Sequence, residues 1–148
     1  MVDVGKKPVT RRKARASVLI KMQTDSMTAI RKNALSKGDV LNTARLAGIL
    51  AAKRVHELIP LTHQLALDQI AVEFEFEDQG IRIKTAVSVH ARTGAEMEAL
   101  TAAALSALTI YDMTKSMDKG MEITDLRLER KSGGKSGTWK RKRTREQS

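Results

Sequence analysis

From Ala16 to Gln23, apolar Val18, Ile20 and Met22 alternate with Ser17, Lys21 and Gln23, interrupted only by Leu19, which is the period of a half-buried strand. Asp25 or Ser26 is then placed to cap a short helix through Lys32, ended by Asn33, with residues 34–38 as a loop. Asp39 is the predicted N-cap of a long helix through Leu58, because the backbone before a proline is pushed out of the helical region and Ile59-Pro60 follows. Ala44, Ala47, Gly48, Ala51 and Ala52 make one side of that helix small, so a sheet or a partner helix can pack closely there.

Ile70, Val72, Phe74 and Phe76 alternate with Ala71, Glu73, Glu75 and Glu77. After Asp78-Gln79-Gly80, Ile81, Ile83, Thr85, Val87 and Val89 alternate with Arg82, Lys84, Ala86, Ser88 and His90. This predicts a hairpin whose outer face sets glutamates against Arg82 and Lys84. An alanine-rich helix follows from Glu96 to about Lys119, with Gly120 as its stop. It is apolar nearly all round, a pattern that belongs to a buried helix, often one between subunits. Ile123 to Arg130 supplies a last strand, in which Ile123 and Leu126 fall out of phase and call for a bulge near Thr124 or Asp125.

The order β-α-α-β-β-α-β resembles a ferredoxin-like α+β fold, an antiparallel sheet with an additional helix. Residues 1–138 read as a single domain with a basic N-terminal segment, and 139–148 as a basic flexible tail. With 148 residues the chain is long enough to bury a core without disulfides or metal. It has no cysteine, which removes thiolate zinc sites and thiol nucleophiles and fits a reducing compartment. Neither a membrane span nor a signal peptide is visible, so a cytoplasmic protein is expected.

The formal net charge of +10 raises a nucleic-acid reading, but its distribution argues against it. Residues 1–15 carry +5 and residues 139–148 carry +4, leaving +1 for the rest. A nearly neutral body with basic ends, and only Phe74 and Phe76 in the predicted strands, is a poor platform for stacking bases. The tail reads either as solubilising charge or as a weak attractor of polyanions or of a partner enzyme.

Asp112 and Lys115 stand three residues apart, which puts them on one helical face. They read either as a solvated ion pair or, at the end of a buried helix, as a proton-exchanging pair with shifted pKa values. His63 follows Pro60 in a short connection where a rigid turn aims an imidazole into a cleft or merely into solvent. Glu96 and Glu98 fall in a first helical turn, where the helix dipole alone accounts for carboxylates. Lys131-Ser132-Gly133-Gly134-Lys135-Ser136-Gly137 fails as a Walker A loop because Glu129 stands where its first glycine belongs. It reads as a flexible linker or as a loop whose lysines close over a phosphate-bearing ligand. His56-Glu57 fails as a zinc-protease motif because no second histidine follows at the required spacing.

Taken in order, Lys37-Gly38-Asp39-Val40, Ala44-Arg45, Ala51-Ala52-Lys53-Arg54, Leu58-Ile59-Pro60-Leu61-Thr62-His63, Gly94-Ala95-Glu96-Met97-Glu98-Ala99-Leu100-Thr101, Tyr111-Asp112-Met113 and the glycine-rich 131–137 segment resemble the motifs of the cyclic pyranopterin monophosphate synthase family, the C proteins of molybdenum cofactor biosynthesis. The resemblance spans residues 2 to about 138. It implies a lyase that converts a cyclised dihydroguanosine triphosphate into cyclic pyranopterin monophosphate and pyrophosphate, without a redox cofactor. It also implies a homo-hexamer, a trimer of dimers with each active site at a dimer interface. By matching position Asp112 is the expected catalytic acid, with Lys37 and Lys115 moving protons or polarising substrate. Leu61, Thr62, His63, Met97 and Glu98 are expected to line the substrate site, with Glu96 beside them and Lys53 and Arg12 as basic positions of the pocket. Many members of the family carry a cysteine where this chain has Thr62, so a thiol cannot be essential here.

Proton transfers in such a reaction suit lysines with depressed pKa values alternating with a carboxylate, and cations would neutralise the departing pyrophosphate. No ligand cluster with metal spacing is present in the sequence, although a divalent cation such as Mg remains compatible with pyrophosphate chemistry. The competing readings are a basic α+β nucleic-acid-binding protein and a structural oligomer built on the alanine-rich helices. The second leaves the ordered Lys, His, Glu and Asp motifs without a role.

Overall fold

In the computed structural model, which describes residues 1–142, β1 (Thr10–Lys21), β2 (Gln69–Glu77), β3 (Gly80–Ala91), β4 (Glu122–Ser132) and β5 (Trp139–Lys140) form one antiparallel sheet. The strand order is β2-β3-β1-β4-β5, and its first four members have the ferredoxin-like arrangement. The helices are α1 (Thr24–Arg31), α2 (Val40–Lys53), α3 (Val55–Leu58) and α4 (Glu96–Thr114). The chain is therefore α+β, with helices layered on one face of the sheet.

Alternation decides which face that is. Ala14, Ala16, Val18 and Ile20 of β1, Ile81, Ile83, Val87 and Val89 of β3 and Val72 of β2 are buried in one core with Ala99, Ala103, Ala107 and Ile110 of α4. Phe74 and Phe76 point the same way, under the guanidinium groups of Arg45 and Arg31 at 5.3 and 4.2 Å from the ring centroids. Neither ring is offered to a base. The small side of α2 packs on α4: a Cβ on Gly48 would run into Ser106 Oγ and lie 2.9 Å from the Ala102 carbonyl oxygen. Ser106 is fully buried and its hydroxyl donates to the Ala44 carbonyl oxygen at 3.0 Å, tying a side chain of α4 to the main chain of α2. The apolar girth of α4 thus follows from its position between α2 and the sheet.

Several boundaries differ from the expectation. β1 starts at Thr10, six residues earlier, because the basic Arg11, Lys13 and Arg15 occupy its outer face while Ala14 and Ala16 keep the inward period. The long helix expected from Asp39 to Leu58 is interrupted at Arg54 (φ −111°), giving α2 and the four-residue α3. Asp39 is its N-cap as expected, accepting from the Asn42 N–H at 3.0 Å. At α1 neither Asp25 nor Ser26 caps; the flanking residue is Gln23, whose N–H donates to the buried Asp118 carboxylate at 2.8 Å. Asn33 ends that helix in the left-handed region at φ 53°. α4 stops at Thr114 rather than near Lys119, so Lys115 is its C-cap.

The hairpin and the bulge are as expected. Glu75 lies opposite Arg82 and Glu73 opposite Lys84, yet the ion pairs form on the diagonal, Glu77 with Arg82 and Glu75 with Lys84. Between Ser17 and Leu19 the β1–β4 register slips around Asp125, which sits at φ 60°, and a second slip leaves Glu129 unpaired. Trp139 and Lys140 extend the sheet as β5, so the predicted tail begins as strand; residues 143–148 lie outside the described residues.

Candidate active site

Eight of the eleven expected site residues fall into two groups at opposite ends of α4. At its C-terminal end Asp112 stands between two lysines. Lys115 Nζ is 2.8 Å from Asp112 Oδ1, and Lys37 Nζ is 3.2 Å from Oδ2 and 3.0 Å from the Asp112 carbonyl oxygen. The spacing on one helix supplies the first contact. The second comes from the loop between α1 and α2, where Gly38 at φ 89° turns the chain into Asp39.

All three side chains are about half exposed, so of the two readings of the Asp112–Lys115 pair the chain shows the solvated one. Hydrogen bonds from Lys115 and then Lys37, followed by their charges, hold the Asp112 carboxyl below its ordinary value. The Asp112 hydrogen bond and charge in turn raise the Lys115 ammonium. Depressed lysine pKa values are therefore not what this cluster offers at Lys115: with little desolvation, attraction to the carboxylate wins and the ammonium is kept. The cluster is a carboxylate base between two cationic donors.

At the N-terminal end of α4 lies a cavity of about 290 Å³. Leu61, Thr62, His63, Met97 and Glu98 all line it, so five residues named from sequence meet in one place. Pro60 and α3 deliver the first three; Thr62 Oγ1 donates to the Ile59 carbonyl oxygen at 2.8 Å, a turn that fixes the approach of His63. Glu98 is only 4% exposed, and burial pushes its carboxyl up, with its own backbone N–H pulling the other way and the charge of Glu96 adding to the rise. It is more than a helix-dipole carboxylate. Leu61 and Met97 leave apolar surface uncovered at the rim.

Sequence reasoning missed Lys7 and Thr93, which also line the cavity. Lys7 belongs to the basic N-terminal segment and was legible only as charge; the fold brings it to the cavity that His63 lines. Glu96 does not reach the cavity. It bonds Lys131 at 3.0 Å and folds over Gly94, tying the end of β4 to the start of α4. Arg12 is likewise a strut, donating through Nε to the Ala91 carbonyl oxygen and through Nη2 to that of Arg92, each at 3.1 Å, with Gly134 closed against its guanidinium. The glycine-rich segment is therefore packed on β1, with Gly133 and Gly134 in the left-handed region, and is not a free linker. Lys53 is exposed at the end of α2 and lines neither the cavity nor the cluster. Among the described residues no group of three acidic or histidine side chains is placed to hold a metal ion, and no helix is long and apolar enough to cross a membrane.

A ferredoxin-like α+β chain that presents a Lys-Asp-Lys cluster and a cavity with a buried carboxyl carries the groups that acid–base chemistry uses. It belongs to the MoaC family, whose sequence profile matches residues 1–134. Among its relatives, a Novosphingobium aromaticivorans protein named cyclic pyranopterin monophosphate synthase is 54% identical over 140 residues, 95% of this chain and 89% of the relative. Proteins of the same name from Methylobacterium sp. and Brucella ovis are 52% and 50% identical over 141 residues, 94% of this chain and 88% and 86% of theirs.

Proposed function

We propose that this chain is the lyase that converts (8S)-3',8-cyclo-7,8-dihydroguanosine 5'-triphosphate into cyclic pyranopterin monophosphate and pyrophosphate in molybdenum cofactor biosynthesis, at a site completed by a second copy of the chain. The observation that carries it is the pair of lysines on Asp112, a cluster able to accept one proton while donating another. Opening and rebuilding a purine-derived ring moves several protons, and Asp112 takes the role of base or acid beside Lys37 and Lys115. Closing a cyclic phosphate expels pyrophosphate, whose charge the two ammonium groups neutralise. No redox cofactor enters this scheme, and the leaving group's charge leaves room for a divalent cation carried in with the substrate.

Support for a shared site comes from distance. Glu98 and Asp112 are fourteen residues apart on one α-helix, about 21 Å along its axis, too far for one substrate to meet both in a single chain. An isologous pair of chains running α4 against α4 in opposite directions sets the cavity of one copy, with Leu61, Thr62, His63, Met97 and Glu98, against the Lys37, Asp112 and Lys115 cluster of the other. Leu46, Leu50 and Leu108, each more than half exposed on α2 and α4, suit the covered face of such a pair. Three such pairs make the hexamer that the family resemblance implies, with Arg12 and Lys53 in supporting positions, acting in the cytoplasm.

The test is incubation of the purified protein with the cyclised triphosphate, followed by chromatography for the cyclic monophosphate and an assay for pyrophosphate, beside Asp112→Ala. Both products from the wild type and neither from the variant is the expected result; absence of turnover by folded wild type overturns the reading.

A further inference from the structure

The outer face of the sheet, away from the helices, carries a second concentration of charge that neither group of site residues uses. Register places Arg15 directly opposite Arg130, and Arg130 directly opposite Lys140, so three cations stand in one row across β1, β4 and β5. One step along, Lys13 faces Ser132. Lys13, Arg15, Arg130 and Ser132 line a concavity of about 260 Å³.

Like charges directly opposite on neighbouring strands destabilise a sheet, and elsewhere on this face the fold avoids them. Glu77 and Asp125 take Arg82, Glu75 takes Lys84, and Asp125 and Glu129 take Arg127. Lys13, Arg15, Arg130 and Lys140 have no carboxylate partner among the described residues. The cationic row is thus a local cost that an anion would relieve, and two of its members are arginines, whose planar forks match phosphate oxygens.

The spacing selects the anion. Adjacent strands lie about 4.8 Å apart, so the row from Arg15 to Lys140 spans roughly 10 Å, and Lys13 adds a further step of roughly 7 Å along β1. One phosphate group cannot engage all four cations, whereas a chain of two or three phosphates can. We propose that Lys13, Arg15, Arg130 and Lys140 form an oligophosphate-binding cradle on the outer sheet face, separate from the cavity and from the Asp112 cluster.

Calorimetric titration of the full-length protein with inorganic triphosphate, at fixed ionic strength, tests this with four proteins: wild type, Arg130→Ala, Arg130→Ala with Lys13→Ala, and Lys37→Ala with Lys115→Ala. Binding about tenfold weaker in Arg130→Ala, weaker again in the double variant, and retained in the Lys37 and Lys115 variant is the expected pattern. Thermal melts add a signature that simple damage would not give: without triphosphate Arg130→Ala melts no lower than wild type, because it loses only repulsion, while its gain on adding triphosphate is smaller. The proposal is overturned if wild type shows no binding beyond that of sulfate at equal ionic strength, if Arg130→Ala binds like wild type, or if binding follows Lys37 and Lys115.

Discussion

Lys37 and Asp112, 75 residues apart in sequence, are joined twice, since one ammonium donates to both the carboxylate and the main-chain carbonyl of the same residue. The second bond anchors the lysine to the end of α4 whatever the carboxylate does. Lys37 is thereby held in place while Asp112 changes protonation.

Because Lys115 is the largest cause of the low Asp112 pKa and Lys37 the next, the two lysines are separable by titration. Lys115→Ala should let the Asp112 carboxyl climb back toward its ordinary 3.8 further than Lys37→Ala does, read by carboxyl NMR. Activity should fall by about 10²–10⁴-fold in either variant if the lysine transfers a proton. Thermal melts should hardly move, as is usual for exposed ion pairs.

Glu98 sets a pH dependence of stability. Its folded carboxyl titrates above 4.5, the value it has when unfolded, so between those two pH values the folded state holds the additional proton. Stability must then fall as pH rises through that window and stay lowered above it. Glu98→Gln removes the penalty: the variant should melt higher than wild type at neutral pH, with the gap closing below about 4.5, while turnover drops. A variant that melts lower at neutral pH would show that the ionised carboxylate supports the fold.

The seam between α2 and α4 leaves no room at Gly48. Alanine normally stabilises a helix by about 1 kcal/mol over glycine, but here its Cβ would press on Ser106 Oγ and the Ala102 carbonyl. Gly48→Ala should therefore destabilise by about 1–3 kcal/mol, measured by urea unfolding. Adding Ser106→Ala should recover part of that loss, since it removes one of the two obstructions.

Such packing was legible in part. The run Ala44, Ala47, Gly48, Ala51, Ala52 announced a close approach, and alternation announced every strand from β1 to β4, because burial on one face writes a period of two into the sequence. The break at Arg54 was not legible: Ala51, Ala52 and Lys53 before it are good helix formers, and the nearest proline or glycine after it is Pro60, six residues on. Of the candidate site, the ordered motifs identified Asp112, Lys37 and the 61–63 segment. They gave no sign that Arg12 and Glu96 act as struts, since both are long polar side chains whose partners, two carbonyl oxygens and Lys131, lie 35 to 80 residues away.

A site divided between chains makes a prediction that no single-chain site shares. Asp112→Asn removes the base from one end of α4, and His63→Ala alters the cavity at the other; each protein alone should be inactive in both of its sites. If chains pair through an isologous contact, mixing the two variants under conditions that exchange subunits yields pairs in which one site carries both defects and the other carries neither. With equal amounts and random pairing, half the pairs are mixed and each has one intact site, so activity should return to about a quarter of the wild-type level. Its appearance only after subunit exchange, at a rate that follows the exchange measured by labelled chains, ties the recovery to pairing. If the mixture stays inactive although labelled chains demonstrably exchange and pair, the cavity and the Asp112 cluster belong to separate functions.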